Sequence, residues 1–512
     1  MNSPMKDIHE SDGMGVIGTG FRRILSNWSV WKRIGHCRRF VRDGKAHDWG
    51  SGDQWENDRV RLPDDDGVQI PVITLVELYT PSRIGGLLTG LTKLGWERGK
   101  TRADDLLKWT NEVRKGRSAG SINLGLVGAR DNKHYLMQER TADLPAGVHA
   151  ALPTLMTLTP SITAMVMSFI LDDESAASLN DPLHRSYTTY TENAPGFRWW
   201  NIVLYVLFGR NIRFSRTIHA PMNQQHDAIA MCVDVLEDSC SQWIRENLAG
   251  VFSSGMRGNS LPSAVLFVTE KTEFTSEVGR YHSAFDGIGF NNFYDAWRSD
   301  NWPSAKLFLS RSWDDSNMRL TFACPRTHAF PESALYPNQD SNGAIAYRTH
   351  GAISKLVARW SITCCLDGYH EQLSILRDQS AIDRSHRTVR DLKRLRRLIR
   401  TEFYDIVTSA HEIDDFAKSH FSYSLDVLDF ENVESTKRGK KAYLLNAFRA
   451  GQRSRAGKLL RETDLLQSLL SVSSDLSQTI TNINIQRLII FLTVVSITIG
   501  AVTLWATMHP TH

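Results

Sequence analysis

From Leu488 to Met508 the chain reads LIIFLTVVSITIGAVTLWATM, 21 residues without a single charge. As a helix this run spans about 31 Å at 1.5 Å per residue, close to the roughly 30 Å of a bilayer's hydrocarbon core. A buried helix of a soluble protein is the competing reading, but such helices seldom run beyond about 14 uncharged apolar residues. The run is therefore expected to be one C-terminal transmembrane helix. Arg487 abuts its first residue and only His509 to His512 follow, with no Lys or Arg among them. That asymmetry places residues 1–487 on the cytosolic side, because flanking Lys and Arg stay there. Thr493, Ser496, Gly500, Thr503 and Thr507 recur at steps of three and four. They form one helical face of small or hydroxylated residues, where a second helix could approach closely.

Upstream, Leu459, Leu466, Leu469, Leu476, Ile480 and Ile483 fall at heptad positions, interrupted by Glu462 and Ser473. Residues 461–486 also lack Gly and Pro, so one helix is expected from about Lys441 into the membrane. An earlier apolar stripe of Leu392, Leu395, Ile399, Phe403, Ile406, Ala410 and Ile413 predicts a partner helix of about 30 residues. Joined near residues 422–435, the two helices would form a long hairpin. Leu466, Leu469, Leu476, Ile480, Ile483 and Gly500 are the positions through which a coiled coil and a homo-oligomer would form.

Nine basic and no acidic residues lie between Lys437 and Arg461. The cluster Lys437, Arg438, Lys440 and Lys441 is the place where anionic lipid or nucleic acid would bind, against the plain alternative of a solvated face. Arg461 lies 27 residues before Leu488. On an upright helix that is about 40 Å, well past a Debye length of about 8 Å. A second basic cluster, Arg384 to Arg400, belongs to the partner helix. The net charge of the whole chain is only +4, too weak to imply nucleic-acid binding by itself.

Residues 1–65 hold Trp28, Trp31, Trp49 and Trp55 with no sustained period and are expected to be an irregular lead-in. From Val68 the pattern changes. VQIPVITLVELYT reads as a strand, residues 82–94 and 103–113 as helices, and SINLGLVGA as a second strand. Ala151 to Leu171 is uncharged and long enough for a second span, but Pro153, Pro160 and four Thr favour two buried strands. Gln225 to Val251 reads as one amphipathic helix, and SAVLFVTE, AKLFLS and MRLTFA as strands. The short apolar run Trp199 to Phe208 suits a core or interfacial element. Strands mixed with helices over residues 66–345 imply an α/β or α+β cytosolic domain, followed by a helical stalk over 346–487, the membrane helix over 488–508 and a tail of 509–512. No internal repeat is evident.

Motifs that carry chemistry are few. Gly95-Trp-Glu-Arg-Gly99-Lys100-Thr101 ends like a phosphate loop but has three residues between its glycines where four are needed. Trp96 and Glu97 would also bring bulk and negative charge to the phosphate position. His411, Glu412, Asp414, Asp415 and His420 gather on a predicted helix, where His411 and Asp415, four apart, could share an ion. A polar helix face is the plainer reading, and His219, His226 and Asp227 form a weaker group. The six cysteines show neither zinc spacing nor a Cys-x-x-Cys pair, so free thiols are expected and no metal or cofactor is assigned.

The layout of a cytosolic α/β domain, long helices and a C-terminal membrane segment is similar to that of CorA-type magnesium channels over roughly residues 66–508. Those proteins carry Gly-Met-Asn at the end of the first of two spans. This chain has neither the tripeptide after its apolar run nor a second span there, so no residue carries over. The leading expectation is an oligomeric, membrane-tethered cytosolic module that senses or recruits. An ion-conducting assembly and an anchored enzyme with a dispersed site are the alternatives.

Overall fold

A computed structural model describes residues 31–35, 50–97, 105–115, 120–129, 138–193, 205–206, 216–254, 261–271, 296–309, 318–326, 329, 341–382, 403–433, 439 and 441–508. Its centre is a mixed sheet of 11 strands. The middle strands are β1 (Val68–Tyr79), β5 (Val148–Thr157) and β6 (Thr163–Leu171), with β6 antiparallel to both of its neighbours. Beyond β5 lie β2 (Ser121–Asn123), β3 (Leu126–Ala129) and β4 (Gln138–Ala142). On the other side of β1 come β9 (Ser263–Thr269), β12 (Arg319–Pro325), β11 (Trp302–Leu309), β10 (Trp297–Ser299) and the two-residue β13 (Glu431–Asn432). A separate ribbon pairs β7 (Tyr190–Asn193) with β8 (Arg216–His219).

The central strands are apolar at nearly every position because helices cover both faces of the sheet. Adjacent residues of β6 show this, since Ser168 and Phe169 point to opposite faces. Ser168 hydrogen-bonds His350 on α5 (Asn342–Ile382), whereas Phe169 packs edge-on to Trp243 on α4 (Pro221–Asn247), with ring centroids 5.9 Å apart. The uncharged stretch 151–171 is thus two buried strands, with only Thr157 of β5 partly exposed, turned at Pro160. Helix α2 (Ile84–Lys93) lies so close to the end of α4 that a Cβ on Gly86 or Gly90 would collide with the carbonyl of Ala249 or Asn247. Helix α3 is Leu106–Arg114, its first turn capped by the Asp105 carboxylate.

Three expectations change. SINLGLVGA is not one strand, because Asn123 Oδ1 accepts the Gly125 N–H and Gly125 takes φ +80°, which splits the run into β2 and β3. The lead-in is not wholly irregular. Gly50–Val60 forms helix α1, which packs on α4 and is tied by polar bonds to the segment just before β7: Asp53 accepts the Thr189 N–H, and Asn57 both donates to and accepts from the Tyr187 backbone. A helix held by such contacts leaves no apolar period to read.

The third change concerns the helices after the sheet. One apolar core runs from Leu62 to Leu459, so much of the expected stalk lies within it. Helix α5 lies across β1, β6 and β5. Helix α6 (Tyr404–Lys418) packs on α7 (Leu444–Met508), and α7 packs on α5 as well, so these helices form a layer on the domain and not a free-standing hairpin. Ile406, Ala410 and Ile413 are buried as their period predicts, while Leu392, Leu395 and Ile399 lie outside the described residues.

Gln452 fixes the layer. Its amide donates to the Arg359 carbonyl (2.8 Å) and Thr363 Oγ1 (3.0 Å), and its oxygen accepts the Tyr423 hydroxyl (2.9 Å). Among the described side chains of α7, Thr463 is the last that is buried. Beyond it, Leu465, Ile489, Ile490, Leu492, Ile497 and Ile499 are exposed, and the side chains of Leu466, Leu469, Leu476, Ile480 and Ile483 lie outside the described residues. Among the described residues, no helix is long and apolar enough to cross a membrane.

Candidate functional site

The tripeptide Thr-Pro-Ser occurs twice, at 80–82 after β1 and at 159–161 after β5. In each copy proline takes the second position of a turn, which its fixed φ suits. The Arg83 N–H closes the first turn on the Thr80 carbonyl (3.0 Å), and the Ile162 N–H closes the second on the Thr159 carbonyl (3.1 Å). The first turn leads into helix α2 and the second into strand β6. Because β1 and β5 both run antiparallel to β6, their ends lie at the same edge of the sheet.

One helix holds both turns. The Thr80 and Ser82 hydroxyls donate to Asp405 Oδ2, each at 2.5 Å, and the Ser82 N–H donates to Oδ1 at 3.3 Å. The Thr159 hydroxyl donates to Glu412 Oε2 at 2.6 Å, the Ser161 N–H to the same oxygen at 2.8 Å and the Ser161 hydroxyl to Oε1 at 2.7 Å. The donors are the same set at both turns: two hydroxyls and one backbone N–H. The spacing fits too. Seven residues of helix rise about 10.5 Å, and two strand intervals span about 9.6 Å. Asp405 and Glu412 therefore meet successive Thr-Pro-Ser turns without a bend in α6.

Arg114, at the end of α3, donates to the Ser161 carbonyl at 3.0 Å. Burial pulls its guanidinium below the usual range, and the charges of Glu412 and Asp405 pull the other way. A third carboxylate repeats the theme nearby. Glu77 on β1 accepts the N–H groups of Phe252 (2.8 Å) and Ser253 (3.0 Å) and the Ser253 hydroxyl. Burial pushes its pKa up to about 7, against the opposing effect of these donors. Gly250 permits the approach, since a Cβ there would collide with the Leu78 carbonyl and the Glu77 side chain.

Beside Asp405 lies a cavity of about 30 Å³ lined by Thr80, Ser82, Arg83, Val251, Ser254, Tyr369, Gln372 and Asp405. That is room for about two water molecules and far below the several hundred Å³ of a metabolite pocket. The Tyr369 phenol is held well above its usual pKa by burial, and burial pushes the neighbouring Cys365 thiol up to about 12. Such a thiol is no nucleophile at neutral pH. The geometry here suits the capture of anionic oxygens and the joining of elements.

Of the residues singled out in the sequence, Glu412 belongs to this site. His411 and His420 are exposed, Asp414 and Asp415 pair with Lys418 at 2.6 and 3.0 Å, and among the described residues no group of three suits a metal ion. His219 stacks on Tyr190 with centroids 4.5 Å apart, away from the turns. Trp96 is buried and donates its indole N–H to the Thr141 carbonyl, so the phosphate-loop segment begins as core, while Gly99, Lys100 and Thr101 lie outside the described residues.

Much of the basic run is engaged within the fold. Arg449 donates to the Ala417 carbonyl, Arg455 pairs with Asp367 at 2.7 Å, Lys441 with Glu431 at 3.3 Å and Lys458 with Glu462 at 3.7 Å. Lys437, Arg438 and Lys440 lie outside the described residues, as do Arg384 to Arg400. Asp405 and the Thr-Pro-Ser turns were not legible as a site beforehand. The one signal for them is the same tripeptide closing two apolar strands. No protein-family model matches this chain, and no curated protein and no solved structure matches it either.

Proposed function

We propose that the chain is a C-terminally anchored membrane protein whose cytosolic α/β domain senses or recruits a partner, with α7 as the connection to lipid. The observation that supports this reading is the change of environment along one continuous helix. The first part of α7 buries Leu444, Leu445, Phe448, Ala456 and Leu459 against the domain, and its far part leaves Ile489, Ile490, Leu492, Ile497 and Ile499 exposed. Apolar side chains in that density face water at a cost of about 1.5–3 kcal/mol each, and a bilayer removes the cost. The 24 residues from 464 to 487 would then stand between domain and membrane over about 36 Å, with homo-oligomerisation through Leu466, Leu469, Leu476, Ile480, Ile483 and Gly500. Lys437, Arg438, Lys440 and Lys441 precede α7 in the sequence and are the residues through which anionic lipid or nucleic acid would bind.

The decisive experiment is fractionation of the full-length chain. It is expected to stay with vesicles through an alkaline carbonate wash and to float with them on a density gradient. Release by carbonate, or a detergent-free soluble chain, would end the tether reading. Cys placed at Gly500 is expected to crosslink in mild detergent, and monomer alone at all concentrations would remove the oligomer from the proposal.

A further inference from the structure

A donor set that appears at two separate points of the chain is a property of the turns and not of one particular acid. Each Thr-Pro-Ser turn aims two hydroxyls and a backbone N–H at the two oxygens of one carboxylate. Converging O–H and N–H groups of this kind hold oxyanions in general, carboxylate or phosphate alike. Arg114 adds positive charge near both positions. The turns belong to the sheet, whereas the acids come from α6, which packs chiefly on α7. The cavity behind Asp405 is lined by further donors, including Arg83, Tyr369 and Gln372.

We propose that the two Thr-Pro-Ser turns are paired oxyanion cradles about 10 Å apart, with Asp405 and Glu412 as built-in occupants, and that the first cradle, with its adjoining cavity, takes a free oxyanion when Asp405 withdraws. The inference stands independently of the membrane tether. A carboxylate carried on a helix competes at high effective concentration, so a free anion gains the site only when α6 is displaced or its acid is removed.

The test uses the full-length chain in mild detergent with Asp405 or Glu412 changed to Ala, and reads thermal midpoint against sodium formate and inorganic phosphate at ionic strength held constant with chloride. D405A is expected to melt about 5 °C lower. Formate or phosphate at tens of millimolar is expected to restore at least half of that loss, with the wild type unmoved, and adding S82A to D405A is expected to abolish the recovery. E412A should respond to formate in the same way through Ser161. Recovery that is absent, that survives S82A, or that is matched in the wild type overturns the proposal. Should D405A fail to fold, D405N and E412A keep the question open to the same measurement: D405N is expected to resist rescue because its amide still fills the cradle, and E412A to show it.

Discussion

His350 and Glu77 are buried on different elements and pull the pH dependence of stability in opposite directions. The His350 ring bonds Thr154 Oγ1 at 2.7 Å and Ser168 Oγ at 2.8 Å, and Ser168 in turn bonds Thr74 Oγ1, so one imidazole ties α5 to three adjacent strands. Burial lowers its pKa from 6.5 to about 4. Between those values the unfolded chain binds the proton and the folded chain does not, so stability is full above about pH 6.5 and is lost as pH falls toward 4. The loss is about 3 kcal/mol. Glu77 moves from 4.5 to about 7, so its contribution is present below pH 4.5 and is lost as pH rises through 7, by a similar amount. From pH 4.5 to 6.5 the two slopes largely cancel. Thermal midpoints over pH 4 to 8 are therefore expected to change little in this window for the wild type, to fall with rising pH in H350Q and to rise with pH in E77Q. Parallel profiles for all three chains would show that neither group titrates as described. None of this was visible in the sequence, where His350 and Glu77 sit in apolar stretches with no partner nearby.

Elements were legible where a period of burial wrote them. The strands after Val68 and around Ala151 to Leu171 are apolar throughout because both faces are covered, and α4 shows Ile229, Val233, Cys240 and Ile244 on its inner face. Elements held by polar contacts, α1 above all, leave no such period in the sequence, and neither does the grip of α6 on two turns brought together only by strand order. The helix layer has the same character, since its apolar packing is oriented by Gln452, which is fully buried and bonded on both sides. Replacing it by Leu keeps most of the volume but strands the Tyr423 hydroxyl and removes a donor from the Arg359 carbonyl and Thr363 Oγ1. At about 1–3 kcal/mol for a buried group left unbonded, Gln452→Leu is expected to destabilise the chain by about 3 kcal/mol. Amides in the first turns of α7 should then exchange faster with solvent than those of β1 and β6. Uniform acceleration across sheet and helices would mean that the layer does not loosen separately. A second element test is Gly90→Ala, which forces α2 away from the Asn247 carbonyl. Overpacking of this kind is expected to cost about 1–3 kcal/mol, read as a lower urea midpoint with an unchanged slope.

At the scale of the molecule, α7 joins two regions with different demands, and the point of division is readable from burial. Leu444, Leu445, Phe448, Ala456 and Leu459 complete the core, and Thr463 is the last of the described side chains to be covered. Five such side chains contribute on the order of 8–12 kcal/mol, which is comparable with the whole stability of an ordinary domain. A chain ended after Ala442 should therefore fail to fold, even though every strand of the main sheet is present. A chain ended after Leu465 keeps the full core and gives up only residues that bury nothing among those described. It is expected to melt within a few degrees of the full-length chain and to need no detergent, whereas the full-length chain should aggregate without one because of its exposed isoleucines. Circular dichroism melts and sedimentation of the three chains separate the cases. If the chain ended at 465 melted far below the full-length one, the far part of α7 would be packing on the domain, and the division of this helix into a core piece and a projecting piece would be wrong.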